Sequence, residues 1–214
     1  MPLVLPRLYV ILDAALAEGP VDQLAANLFA AGVRLFQYRD KRAAGGELLR
    51  NARALAEQLV SQGATFMVND RPDVAHLAGA NGVHVGQDDV DAEDARVVVG
   101  PSKLVGVSTH NRGQFEAALE TSADYLAVGP IFATGSKESP DPVVGVALLK
   151  ELRGLTERPI VAIGGITLER AKEVIEAGAD SVAVISGILR AEDPAMRARE
   201  FLEALEGNRR FGAS

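Results

Sequence analysis

Short apolar segments and longer amphipathic segments alternate along the whole chain. The short segments are rich in valine and isoleucine and end in polar or glycine-rich loops, which is typical of β-strands. The pattern predicts eight strands, at Leu8–Leu12, Val33–Tyr38, Thr65–Asn69, Gly82–Val85, Leu104–Val107, Tyr125–Gly129, Ile160–Ile163 and Ser181–Ile185. The longer segments have apolar residues at helical spacing. They predict helices at Val21–Ala31, Gly46–Gln62, Pro72–Ala80, Ala92–Val98, Arg112–Thr121, Val144–Arg153, Leu168–Ala177 and Pro194–Glu206.

Regular alternation of strands and helices predicts an α/β fold with a parallel sheet. Eight such units favour a single (β/α)8 TIM barrel, whose active site lies at the C-terminal ends of the strands. An open, doubly wound sheet is the main structural alternative. We expect one barrel domain over residues 1–207 and a C-terminal tail over residues 208–214.

Composition narrows the class of protein further. Among the 214 residues, 48% are hydrophobic and 24% are charged, which is ordinary for a globular domain. The formal charge of −7 argues against a nucleic-acid partner, because such proteins carry a basic surface. There are no cysteines, so disulfides and thiolate chemistry are excluded. The apolar run at Leu8–Leu12 is too short for a membrane span or a signal peptide, so we expect a cytoplasmic protein with no membrane partner.

Basic residues follow the second predicted strand. Strand alternation places Gln37, Arg39 and Lys41 on one side of the chain at the barrel mouth. Two cations beside an amide are suited to bind a diphosphate. The simpler alternative for the same residues is a charged turn exposed to solvent. Asp40 and Arg42 fit that solvated background.

Aspartates follow the third and fourth predicted strands. Asp70 comes after the third strand, and Asp88 and Asp89 come after the fourth. Because neighbouring parallel strands end side by side, Asp70 and one of the other two are expected to share a hard cation such as Mg²⁺. The alternative is that Asp70 and Asp88 only cap helices.

Hydroxyl and glycine residues follow the remaining strands. Ser108, after the fifth strand, could donate a hydrogen bond to a phosphate oxygen, and Asn111 could cap the next helix. His110 between them fits a general base, a phosphate ligand or a packed polar residue. His84 and His76 fit structural roles. The sixth loop carries Thr134, Ser136 and Lys137, and glycine pairs or Ser-Gly follow strands seven and eight, where barrels commonly bind phosphate. Tight turns that only glycine tolerates are the competing explanation for those glycines.

These loops, taken in order, resemble thiamine-phosphate synthases. The motifs are Gln-x-Arg-x-Lys, Asn-Asp-Arg-x-Asp, Gly-Val-His-Val-Gly-Gln-x-Asp, Gly-Val-Ser-x-His, Gly-Pro-Ile-Phe-x-Thr-x-Ser-Lys, Ala-Ile-Gly-Gly-Ile and Val-Ile-Ser-Gly-Ile. The resemblance runs from Leu8 to about Leu189. It implies an Mg²⁺-dependent transferase of thiamine biosynthesis. That enzyme joins 4-amino-5-hydroxymethyl-2-methylpyrimidine diphosphate to 4-methyl-5-hydroxyethylthiazole phosphate, which gives thiamine monophosphate and pyrophosphate.

The resemblance also implies a role for individual residues. The pyrimidine diphosphate would contact Gln37, Tyr38, Arg39, Asp40, Lys41, Asn69, Ser108 and Lys137. Arg39, Lys41, Lys137 and Ser108 would act in catalysis, and Asp70 and Asp89 would hold Mg²⁺, which leaves Asp88 at the start of a helix. The thiazole phosphate would meet Thr134, Gly135, Ser136, Gly165, Ile185 and Ser186.

Other functions remain compatible with the same barrel. A thiazole tautomerase of the same superfamily would use a histidine for proton transfer, and Gln37 with the Gly-Gln-x-Asp motif favours the synthase over it. A sugar-phosphate isomerase or lyase would not explain the paired aspartates. A non-catalytic barrel that binds thiamine precursors is a further alternative. Phosphorylated small molecules are the expected ligands in each case, and a homo-oligomer is left open.

Overall fold

A computed structural model describes residues 3–134 and 141–206. Its strands form one closed parallel barrel in sequence order, so that the last strand pairs with the first. The strands are β1 Leu8–Asp13, β2 Leu35–Arg39, β3 Thr65–Asn69, β4 Gly82–Val85, β5 Leu104–Thr109, β6 Tyr125–Val128, β7 Ile160–Ile163 and β8 Ser181–Val184. This closure confirms the predicted (β/α)8 barrel and excludes the open sheet.

Helices cover the outside of the barrel and return the chain to the start of each next strand. They are α1 Val21–Ala30, α2 Gly45–Val60, α3 Pro72–Ala78, α4 Ala92–Val99, α5 Arg112–Leu119, α6 Gly145–Arg153, α7 Leu168–Glu176, α8 Ser186–Leu189 and α9 Pro194–Glu206. No helix among residues 3–134 and 141–206 is long and apolar enough to cross a membrane.

Some element boundaries differ from the sequence prediction, and hydrogen bonds explain why. Val33 was predicted to begin the second strand, but its N–H donates to the Leu28 carbonyl and so finishes the end of α1, with Gly32 at a φ of 110°. At the other end, β1 and β2 each run one residue further than predicted, because Asp13 and Arg39 pair in the barrel ladder. The one-turn helix α8 directly after β8 was not predicted.

Two cores lie on opposite sides of the strands. The larger core fills the layer between strands and helices, and the smaller one fills the barrel interior with Tyr9, Ile11, Leu35, Met67, Tyr125, Ala127, Val161 and Ala183. Because side chains alternate along a strand, every second residue faces the barrel axis, and the last such residues of each strand point into the mouth of the barrel. The smaller core is therefore the floor on which the polar strand-end residues sit.

Candidate active site

Two adjoining cavities open at the C-terminal ends of the strands. One, of about 320 Å³, is named the charged cavity, and its polar lining includes Gln37, Arg39, Lys41, Asn69, Asp70, His84, Gln87, Asp88, Asp89 and Ser108. The other, of about 300 Å³, is named the glycine-lined cavity, and its lining includes Thr134, Gly164, Gly165, Arg170, Ile185, Ser186 and Gly187. Each cavity is at the lower end of the range for small-molecule sites.

Alternate residues at the end of β2 and just beyond it reach the charged cavity, as the strand pattern predicts. Gln37 is buried, Arg39 is partly buried and Lys41 is exposed, and all three line the same cavity. The structure thus gives two cations and an amide on one side of the barrel mouth. A row of this kind is suited to an anion with several oxygens.

Asp13 holds the Arg39 guanidinium in place. Asp13 ends β1 beside Arg39 at the end of β2, and it is only 4% exposed. One of its carboxylate oxygens accepts from Arg39 Nη1, and the other accepts from the Ala15 N–H at 2.9 Å. A buried carboxylate with both oxygens engaged restricts the rotamers of Arg39.

Asp70 and Asp89 approach each other from neighbouring loops. Asp70 has a φ of 61°, a left-handed conformation that is uncommon outside glycine, and its carboxylate lies 2.5 Å from Lys41 Nζ. The Asp89 carboxylate accepts from the N–H of Gly86 at 2.8 Å. An unusual backbone conformation at a polar strand end marks a site that the surrounding fold holds under strain.

The environment of Asp89 disfavours its charge. Burial raises the pKa of Asp89 above its ordinary value, and the neighbouring Asp70 carboxyl raises it further, whereas Lys41 partly offsets the effect. Two carboxylates that repel each other form a preorganised pair of ligands for a hard cation. Within the described part of the chain, no group of three or more His, Cys, Asp or Glu side chains gathers around a common point. A cation at Asp70 and Asp89 would therefore need ligand oxygens from water or substrate.

The helix-capping interpretations of these aspartates are settled by the hydrogen bonds. Asp88, expected at a helix start, is exposed and precedes α4 by four residues, whereas Asp91 is the residue that caps α4 by accepting from the Asp94 N–H. Capping by Asp70 is also wrong, because Arg71 precedes α3 without a side-chain cap. The expected cap at Asn111 is confirmed, since it accepts from the N–H of Gln114 at 2.9 Å.

Tyr38 and Asp40 lie apart from the other predicted contacts. The Tyr38 ring is buried in the layer between strands and helices, and its hydroxyl contacts Asp40 at 3.3 Å and Asn51 at 3.1 Å. Asp40 accepts from the N–H groups of Arg42 and Ala43. The structure therefore brings Gln37, Arg39 and Lys41 together and leaves the Tyr38 and Asp40 side chains outside both cavities.

Ser108 and His110 line both cavities and stand at the boundary between them. Ser108 Oγ lies 2.8 Å from His84 Nε2, so His84 is part of the charged cavity as well as of the barrel core. The His110 Nδ1 atom lies 2.6 Å from the Gly129 carbonyl, and its Nε2 atom lies 3.5 Å from Asp141. A structural role is all that the sequence predicts for His84, and its contact with Ser108 extends that role.

The glycines after β7 pack tightly against the loop that follows β6. Gly164 and Gly165 both have positive φ, at 96° and 62°. A Cβ at Gly164 would lie 2.5 Å from Pro130 Cβ, and one at Gly165 would lie 2.5 Å from the Ala133 carbonyl. The turn explanation is therefore confirmed at both positions, because only glycine lets the two loops approach so closely. Both glycines also line the cavity, and the ligand explanation stays a prediction.

The remaining predicted residues divide between described and undescribed parts of the chain. Asn69 and Ser108 line the charged cavity, and Thr134, Gly165, Ile185 and Ser186 line the glycine-lined cavity. Gly135, Ser136 and Lys137 lie outside the described residues, so their assignments stay predictions.

Asp13 and Arg170 are among the residues that line or support the site and that the sequence analysis missed. Asp13 is a single acid directly after the apolar run of the first strand. Its place at a strand end is the one feature of the sequence that could have indicated a role in the site. Arg170, in the first turn of α7, lines the glycine-lined cavity. Its guanidinium carbon lies 4.5 Å from the centroid of the Phe132 ring. Its helical position gave no sign that it would face a cavity.

The closed barrel with a charged and a glycine-lined cavity at its C-terminal mouth defines a (β/α)8 protein equipped for phosphorylated ligands. Residues 8–188 match the family described as thiamine monophosphate synthase. A thiamine-phosphate synthase of Koribacter versatilis is 53% identical over 94% of this chain and 96% of its own length. One from Agrobacterium fabrum is 41% identical over 94% of each chain. The solved structure of thiamine phosphate pyrophosphorylase from Pyrococcus furiosus is 31% identical and superposes with a TM-score of 0.85, over 94% of this chain and 96% of that one.

The chain belongs to the thiamine monophosphate synthase family. Family membership confirms the resemblance and the function that the sequence predicted, thiamine-phosphate synthesis by a transferase.

Proposed function

We propose that this chain joins 4-amino-5-hydroxymethyl-2-methylpyrimidine diphosphate to 4-methyl-5-hydroxyethylthiazole phosphate, with release of pyrophosphate. The observation that supports this most is the pair of cavities that meet at Ser108 and His110. A reaction between two phosphorylated molecules needs two anion sites whose reacting ends converge on one point. Membership of the family supplies the identity of the two substrates.

The charged cavity is assigned to the pyrimidine diphosphate. Arg39 and Lys41 carry the positive charge there, and Gln37, Asn69 and Ser108 supply uncharged polar groups. Breaking the carbon–oxygen bond leaves both electrons on the diphosphate, so cations already in place stabilise the leaving group as its charge develops. Lys137 is assigned to the same diphosphate from the family resemblance.

Asp70 and Asp89 are assigned to Mg²⁺. Their closeness, the raised pKa of Asp89 and the nearby Lys41 suit a cation that neutralises both carboxylates. Bound there, Mg²⁺ would supply charge neutralisation for the leaving diphosphate. Lys41 Nζ lies 2.5 Å from the Asp70 carboxylate and lines the charged cavity, so it is within reach of both the proposed metal site and the diphosphate.

The glycine-lined cavity is assigned to the thiazole phosphate. The loops after β7 and β8 are where (β/α)8 barrels commonly hold a phosphate group. Thr134 and Ser186 contribute hydroxyl-bearing side chains to the lining of this cavity, and Gly165 contributes backbone atoms. Arg170 adds a cation at the rim of the same cavity.

The bond changes need no acid or base from the protein. The carbon–oxygen bond breaks, the electron-rich aminopyrimidine carries the resulting cation, and the lone pair of the thiazole nitrogen forms the new carbon–nitrogen bond. The protein's task is therefore to hold the two reactants in line and to stabilise the diphosphate. A cytoplasmic location is part of this proposal, supported by the biosynthetic family.

The test is the stoichiometry of product formation by the full chain. With both substrates and Mg²⁺, we expect one thiamine phosphate for each pyrophosphate released, and no product without the thiazole phosphate. EDTA should abolish both products, and added Mg²⁺ should restore them. Pyrophosphate release without thiamine phosphate would contradict the proposed reaction, and full activity in EDTA would contradict the metal assignment.

A further inference from the structure

Five polar side chains run in single file across the barrel interior. Gln37 Nε2 donates to Tyr9 Oη at 2.8 Å, and Tyr9 Oη lies 3.2 Å from Tyr125 Oη. Tyr125 Oη lies 2.9 Å from His84 Nδ1, and His84 Nε2 lies 2.8 Å from Ser108 Oγ. The two ends of this hydrogen-bond chain, Gln37 and Ser108, both line the charged cavity.

Gly106 in β5 provides the space that this hydrogen-bond chain occupies. A Cβ at Gly106 would lie 2.1 Å from Tyr125 Cζ and 2.6 Å from His84 Nδ1, so any larger residue would displace the pair. The His84 and Tyr125 rings stack with centroids 5.6 Å apart, and Tyr9 meets Tyr125 edge-on at 6.3 Å. The contact between the His84 and Tyr125 rings therefore depends on a glycine at position 106 in β5.

Both tyrosine hydroxyls in the hydrogen-bond chain keep their protons. Burial raises the pKa of Tyr9 and of Tyr125 above the ordinary value for tyrosine. Each hydroxyl thus has one hydrogen to donate, and buried donors are almost always paired. Because the Gln37 amide already donates to Tyr9, the hydrogen of Tyr9 goes to Tyr125 and that of Tyr125 goes to His84 Nδ1.

We propose that this hydrogen-bond chain runs in one direction, from Gln37 to Ser108, and so fixes the Ser108 hydroxyl as a hydrogen donor to the substrate diphosphate. His84 accepts at Nδ1 and therefore carries its hydrogen on Nε2, which donates to Ser108 Oγ. The hydrogen of Ser108 is then free to point into the charged cavity, where ionised phosphate oxygens only accept. His84 and Tyr125 are positioning residues for Ser108. The identity of the ligand rests on the proposed function, whereas the direction of the hydrogen-bond chain does not.

His110 provides an internal comparison. The Gly129 carbonyl, 2.6 Å from His110 Nδ1, can only accept, so neutral His110 carries its hydrogen on Nδ1. His84 and His110 are therefore expected to be opposite tautomers in one protein. The chain has three histidines, and the third, His76, is exposed on α3.

The tautomers are measured by ¹⁵N NMR of the full chain with labelled histidine, at a pH where the histidines are neutral. His76→Gln and His110→Gln variants assign the signals. We expect His84 with its hydrogen on Nε2 and His110 with its hydrogen on Nδ1. A hydrogen on Nδ1 of His84 would mean that the hydrogen-bond chain runs from Ser108 towards Gln37, which overturns the proposal. This experiment needs no turnover, so its failure is distinct from failure of the proposed function.

Tyr125→Phe tests the consequence for activity, because it keeps the ring and removes only the donor to His84. We expect kcat/KM for the pyrimidine diphosphate to fall about tenfold, as for a weakened hydrogen bond to a charged group. The KM for the thiazole phosphate should not change, and the His84 signals should no longer show one tautomer.

Thr109→Val is the matched control, since it removes a buried hydroxyl that donates to the Ala127 carbonyl at 2.9 Å on the other side of β5. It should leave both the His84 tautomer and the kinetic constants as in the parent protein. The positioning role would be wrong if Tyr125→Phe behaved like this control. It would also be wrong if Tyr125→Phe lowered kcat/KM equally for both substrates.

Discussion

Asp13 and Arg39 end neighbouring strands, and the carboxylate of one fixes the guanidinium of the other. Only Arg39 belongs to a motif recognised in the sequence, the Gln-x-Arg-x-Lys motif after the second strand's apolar run. The acid is recognisable once the register of β1 against β2 is known, because that register sets Asp13 opposite Arg39 and spacing along the chain does not show it. Single-residue roles that depend on a partner from another strand are therefore the part of the site that sequence predicts least well.

Asp13→Asn should lower kcat/KM for the pyrimidine diphosphate by about ten- to a hundredfold, because Arg39 loses the charged partner that orients it. Steady-state kinetics with each substrate varied in turn measures this. Asp22→Asn, at an exposed acid in the first turn of α1, is the control and should be silent. An unchanged kcat/KM with a lower melting temperature would restrict Asp13 to a structural role.

Asp89→Asn should stabilise the metal-free protein while it lowers activity. Because the pKa of Asp89 is raised on folding, its ionised form destabilises the folded state at neutral pH. The gain from asparagine should therefore be present at neutral pH and should shrink as the pH falls through that raised pKa, where the parent carboxyl takes up a proton.

Thermal unfolding in EDTA measures this gain. Added Mg²⁺ should raise the melting temperature of the parent protein more than that of Asp89→Asn. Equal Mg²⁺ responses would remove Asp89 from the metal site.

At the scale of elements, the periodicity of the sequence predicted every strand and nearly every helix, because both depend on local spacing of apolar residues. The exceptions lie where long-range contacts decide. Val33 joins the end of α1 through a backbone hydrogen bond, and α8 is a single turn that is too short for helical periodicity to register.

Gly164→Ala should destabilise the protein by about 2 kcal/mol or more, because a positive φ and a clash with Pro130 act together. It should also raise the KM for the thiazole phosphate, since the loop after β6 contributes Thr134 to that cavity. Denaturant unfolding and steady-state kinetics measure the two effects.

Gly63→Ala separates the causes. Gly63 has a φ of 83°, but nothing lies within 4 Å of its added Cβ. We expect a loss of about 1 kcal/mol there and unchanged kinetics. If Gly63→Ala destabilised the protein as much as Gly164→Ala, the contact with Pro130 would contribute nothing.

At the scale of the whole molecule, an acidic protein with a formal charge of −7 must bind two anionic substrates. Local placement resolves this conflict, since Arg39 and Lys41 gather at one side of the mouth and Arg170 lies at the other. Residues from the ends of β2 to β8 and the loops that follow them converge on two cavities that share Ser108 and His110. The proposed function assigns one substrate to each cavity.

The most direct test of this division compares Arg39→Lys and Ser186→Ala in steady-state kinetics, with each substrate varied while the other saturates. Arg39→Lys should raise the KM for the pyrimidine diphosphate by about tenfold and leave that for the thiazole phosphate unchanged, because lysine cannot reproduce the forked contact. Ser186→Ala should do the reverse, by several-fold, for one lost hydroxyl. If either variant raised both KM values equally, or if the two effects were exchanged, the assignment of one substrate to each cavity would be wrong.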